Sequence, residues 1–250
     1  MHLLSGQVNR YHGPMTGSKR ADSVSNQRQS TAQPTAGTDA RLALILVAER
    51  NLALFGMDGV SINAIVKEAG QRNMSAVHYH FGDRAAMVQD ILNFRQTSIE
   101  EGRRRLYEAT VEGAGDPDLR VLTEIAVNPL ADLMLETAGP SFYLRFLEQV
   151  TNHESYRHIL DARAPVARTF SRLFDDIRRL LHPMPAMIVE ARLDDFAEHM
   201  VSSLARIETL VGKGARIRPA LRVANLIDQL VAGLTAPIST ATRRLEEAAG

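Results

Sequence analysis

Cysteine is absent from this 250-residue chain, so its reactive side chains are imidazoles, carboxylates, hydroxyls and a few lysine amines. Disulfides, thiolate nucleophiles and thiolate metal sites are excluded. His78 and His80 flank Tyr79 in the stretch MSAVHYHFGDR, residues 74–84. On a helix each residue advances about 100°, so these imidazoles point about 200° apart and cannot grip one metal ion. Asp195 and His199, at i and i+4, share a helix face and supply half of a metal site. No third ligand is positioned beside them, so they are read as a solvated, ion-paired face. Asp175-Asp176 and the run Arg103-Arg104-Arg105 are read in the same way. The GKG at 212–214 lacks the rest of a phosphate-binding loop. G-x-S-x-G, H-E-x-x-H and G-x-G-x-x-G are all missing. The expectation is therefore a non-enzyme with no cofactor and no metal. What remains around residues 73–84 is a set of hydrogen-bonding groups suited to phosphate oxygens or base edges.

The elements that must position these groups read as helices. TDARLALILVAERNLALFG, from residue 38, places Leu44, Ile45, Ala48, Leu52 and Phe55 on one side, and Gly56 and Gly59 end the run. SINAIVKEAG opens with Ser61 as an N-cap and closes on Gly70, the residue type suited to a left-handed C-terminal position. Asn73 can cap a third short helix and Asp83 a fourth that continues past Arg105. No alternating apolar and polar run supports a sheet. The expected fold is all-α.

About five more helices are expected beyond Thr110, with Pro129 and Pro165 kinking or interrupting apolar helical patterns. The last two long ones carry regular stripes: Val189, Leu193, Phe196, Ala197, Met200, Leu204, Ile207 and Val211, then Val223, Leu226, Ile227, Leu230, Val231 and Leu234. Asn225 and Asp228 fall at the polar edge of the second.

Three short helices within about 45 residues, with a glycine closing the second, make a helix-turn-helix pattern. Val77 and Phe81 occupy the buried side of the third, leaving Ser75, Ala76, His78, Tyr79 and His80 around the remainder. Small and polar residues are what a helix needs where it approaches the major groove. Overall charge is zero, with 29 basic and 29 acidic residues. The first 95 residues hold ten basic and seven acidic side chains and the rest hold 19 and 22, so the front is mildly basic. Residues 1–37, rich in Ser, Gln, Thr and Gly, read as a disordered tail. No apolar run approaches the ~20 residues of a membrane span, and a signal sequence is not evident. A cytoplasmic protein without membrane association is expected.

The stretch ALFGMDGVSINAIVKEAG, followed by SAVHYHFGDRAAMV, resembles the DNA-binding domain of the tetracycline-repressor (TetR) family of transcriptional regulators. The matching positions are Leu54, Phe55, Gly59, Ser61, Ala69, Gly70, His78, His80 and Phe81, within a match covering about residues 41–94. The chain departs from the family pattern in three places. The turn before Met74 is one residue longer, His78 replaces a usual tyrosine, and Ser75 replaces a usual glycine. The resemblance implies that Ser61, His78, His80 and Arg84 touch phosphates, while Asn73, Ser75, Ala76 and Tyr79 face the bases. It implies a helix-turn-helix domain over 38–84 and a larger helical effector-binding and dimerisation domain over 85–250. The implied partners are double-stranded DNA with a palindromic operator, a small-molecule effector, and a second copy joined through residues 187–211 and 221–234.

The apolar stripes are equally compatible with packing inside one chain. For the effector, Phe142, Tyr143, Phe146, His158, Phe170 and Phe174 fall between the prolines, and Met134, Met184, Met187 and Met200 can line an adaptable cavity. The expected function is a ligand-responsive, sequence-specific regulator, a repressor released by an apolar or amphipathic effector. The alternative is an all-α enzyme or protein-interaction module that acts on a hydrophobic ligand and whose helix-turn-helix does not bind DNA.

Overall fold

The computed structural model describes residues 36–70, 83–112, 117–135, 139–161 and 167–249. Among them every regular element is helical. The helices are α1 (Ala36–Phe55), α2 (Ile62–Glu68), α3 (Arg84–Tyr107), α4 (Leu119–Leu135), α5 (Tyr143–Thr151), α6 (Glu154–Asp161), α7 (Arg168–Leu180), α8 (Ala186–Gly212), α9 (Pro219–Thr235) and α10 (Thr240–Ala249). None of the described helices is long and apolar enough to cross a membrane.

Local chemistry explains the boundaries at the front. Gly56 adopts φ +80° after α1, a conformation that costs other residues a clash with Cβ. The Ser61 hydroxyl accepts from the Ala64 N–H at 3.1 Å and starts α2, and Gly70 ends that region at φ +70°. The Asp83 carboxylate accepts from the Ala86 N–H at 2.8 Å and starts α3. Helix α2 is too short to stand alone. It is held by burial of Ile65 and Val66, and by Glu68, which accepts from Asn51 Nδ2 of α1 at 2.7 Å and pairs with Arg50.

One apolar core runs from Leu44 and Leu52 of α1 through Ile91 of α3 and Phe146 of α5 to Leu230 and Leu234 of α9. Helix α5 packs against both α1 and α8, α9 packs against α8 and α4, and α3 packs against α1, α4 and α7. The stripes of α8 and α9 are buried inside this single chain, with Leu193, Phe196, Leu204, Leu226 and Leu230 at 3% exposure or less. They are therefore not free to form a bundle across a two-fold axis.

Four further expectations are corrected. Phe55 is 60% exposed, at the last position of α1. Among the described residues, seven helices rather than about five follow Thr110. Helix α4 continues through Pro129, whose buried ring faces Gly102 of α3 so closely that a Cβ at Gly102 would stand 3.2 Å from it. That packing offsets the hydrogen bond proline cannot make. Pro165 lies outside the described residues. Finally, Arg103 and Asp176 are buried rather than solvated. Asp176 accepts from the Tyr107 hydroxyl and from Arg179, and Arg103 belongs to a cavity wall.

An ion pair fixes α1 against α3. Arg95 donates from Nε and Nη2 to the two oxygens of Glu49 at 2.7 and 2.8 Å. Burial pushes the Glu49 carboxyl above its ordinary range, and the Arg95 hydrogen bond and charge only partly offset this. A raised carboxyl contributes stability that is present at low pH and lost as pH rises through its folded value, so ionised Glu49 is a cost at neutral pH. The two halves of the pair should accordingly respond differently. Arg95→Met strands a buried carboxylate and should cost roughly 3 kcal/mol, the low end for a broken buried pair, because the arginine side chain is 24% exposed. Glu49→Gln removes the desolvated charge and should cost less than about 1 kcal/mol. Urea denaturation of both variants checks the asymmetry, and equal losses would mean that the pair acts as a single rigid unit.

Candidate functional site

Two regions are candidates for function: the head, at the front of the chain around α1, α2 and the start of α3, where the sequence predicts a helix-turn-helix, and a cavity among α3 to α8. In the head, Ser61 is exposed at the start of α2. Arg84 is half-buried at the start of α3, where its guanidinium donates to the Val60 carbonyl at 2.7 Å and to the Met57 carbonyl. It thus ties α3 to the α1–α2 turn, using donors that the family resemblance assigns to a phosphate. Asn73, Ser75, Ala76, His78, Tyr79 and His80 lie outside the described residues. In the sequence, that segment lies between α2 and α3.

The cavity, of about 700 Å³, lies between α3, α4, α5, α6, α7 and α8. That is within the range of small-molecule sites. Its apolar lining includes Leu92, Ile99, Leu130, Leu147, Met200 and Val201. Tyr143 and Phe170 are the two sequence-expected aromatics that line it. Phe142 stacks under Arg145 at 4.6 Å, Phe146 is wholly buried in the core, and His158 is exposed on α6. Phe174 packs on Phe170 and Phe196, with ring centroids 4.6 and 6.0 Å away. None of these four reaches the cavity wall. Of the methionines, Met200 reaches it, whereas Met134 is core, Met184 is half-buried and Met187 is 55% exposed.

The polar part of the wall was missed by sequence reasoning. It comprises Gln96 and Arg103 of α3, Asn152 and His153 between α5 and α6, and Glu154, Arg157, Asp194 and Glu198 nearer solvent. A signal for Arg103 existed, since it follows Leu92 and Ile99 at +11 and +4 along the buried face of α3.

Head and cavity meet directly. His153, on the cavity wall, has Nε2 3.1 Å from Asp58 Oδ2 in the α1–α2 turn. On the same side, Gly56 lies under Gln149 of α5, whose Oε1 would be 3.6 Å from a Cβ there. The 151–154 wall thus touches the turn that leads into α2.

Among the described residues, no cluster of three or more His, Asp or Glu side chains could hold a metal ion. Asp195 and His199 sit on the exposed face of α8. Asp228 accepts from Arg120 at 2.7 Å.

Among solved structures, the chain is similar to a protein from Rhodococcus sp. assigned to the TetR family of transcriptional regulators. The identity is 18%, the match covers 79% of this chain and 100% of that one, and the TM-score is 0.41. It is also similar to a protein from Mesorhizobium loti assigned to the same family, at 16% identity, covering 81% and 98% of the two chains, with a TM-score of 0.46. Each likeness is one of helical fold. No family model matches the sequence, and no curated protein matches it.

Proposed function

We propose that this chain is a ligand-responsive, sequence-specific DNA-binding regulator of the TetR type, a cytoplasmic repressor that leaves its operator when a small apolar or amphipathic molecule fills the cavity. The DNA-binding half of the reading rests on the sequence pattern from Leu54 to Phe81. The observation that carries the regulatory half is the contact between His153 of the cavity wall and Asp58 of the head. A ligand that displaces the 151–154 wall changes the support of α2, and with it the setting of the helix that enters the groove. Such coupling needs only a ligand that binds one head orientation better than the other, with ~1–3 kcal/mol being typical.

Two heads are needed to read a palindrome. The second copy would join through residues 187–211 and 221–234. Because the apolar stripes there are buried in each chain, the outward faces around Met187 and Leu221, 55% and 62% exposed, form the seam. The protein–DNA contact itself would use Ser61, Asn73, Ser75, Ala76, His78, Tyr79, His80 and Arg84. Arg84 would first have to release one of its two carbonyl partners or use a remaining donor.

Fluorescence anisotropy on a duplex from upstream of the protein's own gene, compared with random DNA at several salt concentrations, tests the reading. Neutralising six to ten phosphates should lower affinity by about 10³–10⁵-fold between 50 and 200 mM salt. Weak binding that ignores both sequence and salt, repeated across a genomic fragment selection, would refute it. Within the same assay, Tyr79→Ala should lose about 1–3 kcal/mol on the operator and much less on random DNA. Equal losses would make Tyr79 a phosphate contact rather than a base reader.

A further inference from the structure

The cavity wall holds a buried cation. Arg103 is 5% exposed, and its guanidinium lies 4.4 Å from the centroid of the Phe170 ring, which shares the wall. Its Nη2 donates to the Ala126 carbonyl of α4 at 3.3 Å. Its Nε is buried without a hydrogen-bond partner among the described residues. A guanidinium has five N–H donors, and the one on Nε is left unused there. The nearest acid along α3, Glu100, makes no direct ion pair with it among the described residues: Oε1 accepts from the Thr169 N–H at the start of α7, and Oε2 is buried without a hydrogen-bond partner there. Burial pulls Arg103 down to about 10, with the Glu100 charge acting in the opposite direction.

A buried charge without a paired counter-charge is among the costliest arrangements in a protein interior. The aromatic face beneath it recovers part of that cost. The planar fork, however, is shaped for two parallel hydrogen bonds to a carboxylate, and the neighbouring wall is apolar. The acids of the lining, Glu154, Asp194 and Glu198, are exposed toward the mouth, with Arg157 among them. Solvent and salt screen charges there. The cavity is thus polarised, with its buried charge positive and its acids at the rim.

We propose that the cavity takes an amphipathic carboxylate, with the acid group seated on Arg103 and the apolar body lying against Leu92, Ile99, Leu130 and Val201. This rests on the reading of the cavity as the effector site. Arg103 then has a ligand-dependent role, leaving the empty protein with an unpaired cation and giving the filled one an ion pair.

Calorimetric titration with decanoate, decanol and decyltrimethylammonium, which share one apolar chain, tests the proposal. The titrations use the full-length protein and its Arg103→Met, Arg103→Lys and Met200→Trp variants, below the concentrations at which the amphiphiles aggregate. Decanoate should bind the unmodified protein roughly 10- to 100-fold tighter than decanol, the span expected for a hydrogen bond to a charged group. Decyltrimethylammonium should bind weakest. Arg103→Met should erase the preference for decanoate while leaving decanol binding intact, and Arg103→Lys should keep part of it. A merely structural arginine would instead lower the thermal midpoint of the empty protein without changing the ranking. Equal binding of the three head groups to the unmodified protein, or a decanoate preference that survives Arg103→Met, overturns the proposal and leaves the cavity reading standing. The unmodified ranking decides this even if Arg103→Met does not fold. Absence of binding by all three, or binding untouched when Met200→Trp fills the space, overturns the cavity reading and the proposal together.

Discussion

Glu208→Ala is expected to lower the free energy of unfolding by about 3–5 kcal/mol, the cost of breaking a buried ion pair by removing one partner. Glu208 lies on α8 with its side chain 1% exposed, and it serves as the cap that α5 lacks. Phe142 begins α5 without a side-chain cap bond. The Glu208 carboxylate accepts instead from the Ser141 hydroxyl at 2.6 Å, the Leu144 N–H at 3.2 Å, and the Arg145 N–H and Nε at 3.0 and 3.1 Å. Negative charge at a helix N-terminus also meets the positive end of the backbone dipole. Alanine would orphan these donors together and leave Arg145 unpaired at 14% exposure. Urea denaturation checks this, with a lower midpoint at unchanged slope as the expected result. A loss below about 1 kcal/mol would mean that water reaches the start of α5 and replaces the carboxylate.

Phe146→Ala should cost a similar amount, about 3–5 kcal/mol, for a different reason. The ring is fully buried and touches the core that joins α1, α5 and α8. It does not line the cavity, so its removal should leave a void in the core rather than a larger site. The pair of measurements that separates the two outcomes is stability by denaturation and amphiphile affinity by calorimetry. Loss of affinity with stability intact would place Phe146 in the site after all. The same comparison at Phe170, which does line the cavity, should show the reverse weighting.

What could be read from the sequence was what local chemistry decides. Ser61 and Asp83 cap helices because a hydroxyl or carboxylate two or three residues ahead of free N–H groups needs no tertiary help. Gly56 and Gly70 close theirs because glycine tolerates positive φ. The stripes of α8 and α9 were visible from periodicity, but periodicity cannot say which surface covers them, and α4 and α5 of the same chain do so. The break between α5 and α6 was invisible because Asn152 and His153 carry no proline or glycine signal. The cavity was legible only in part. The aromatic residues between the prolines supply only two of its positions, whereas the wall is built by six helices, with four residues from α3 and five from α8. Arg103 was hidden by its neighbours, since a run of three arginines looks solvated until the helix phase assigns the first to the inside and the others to the outside.

The contact between Gly102 and Pro129 has an effect beyond helix packing. The next residue on each helix of that contact, Arg103 and Leu130, belongs to the cavity wall. The separation at which the two backbones pass, with a Cβ at Gly102 only 3.2 Å from the proline ring, therefore bears on how far apart Arg103 and Leu130 stand in the wall. On the proposed reading of the cavity, its selectivity would have an adjustment point outside the lining itself. A single methyl at position 102 would act as a shim between α3 and α4, widening the gauge of the cavity without altering any side chain that a bound molecule meets.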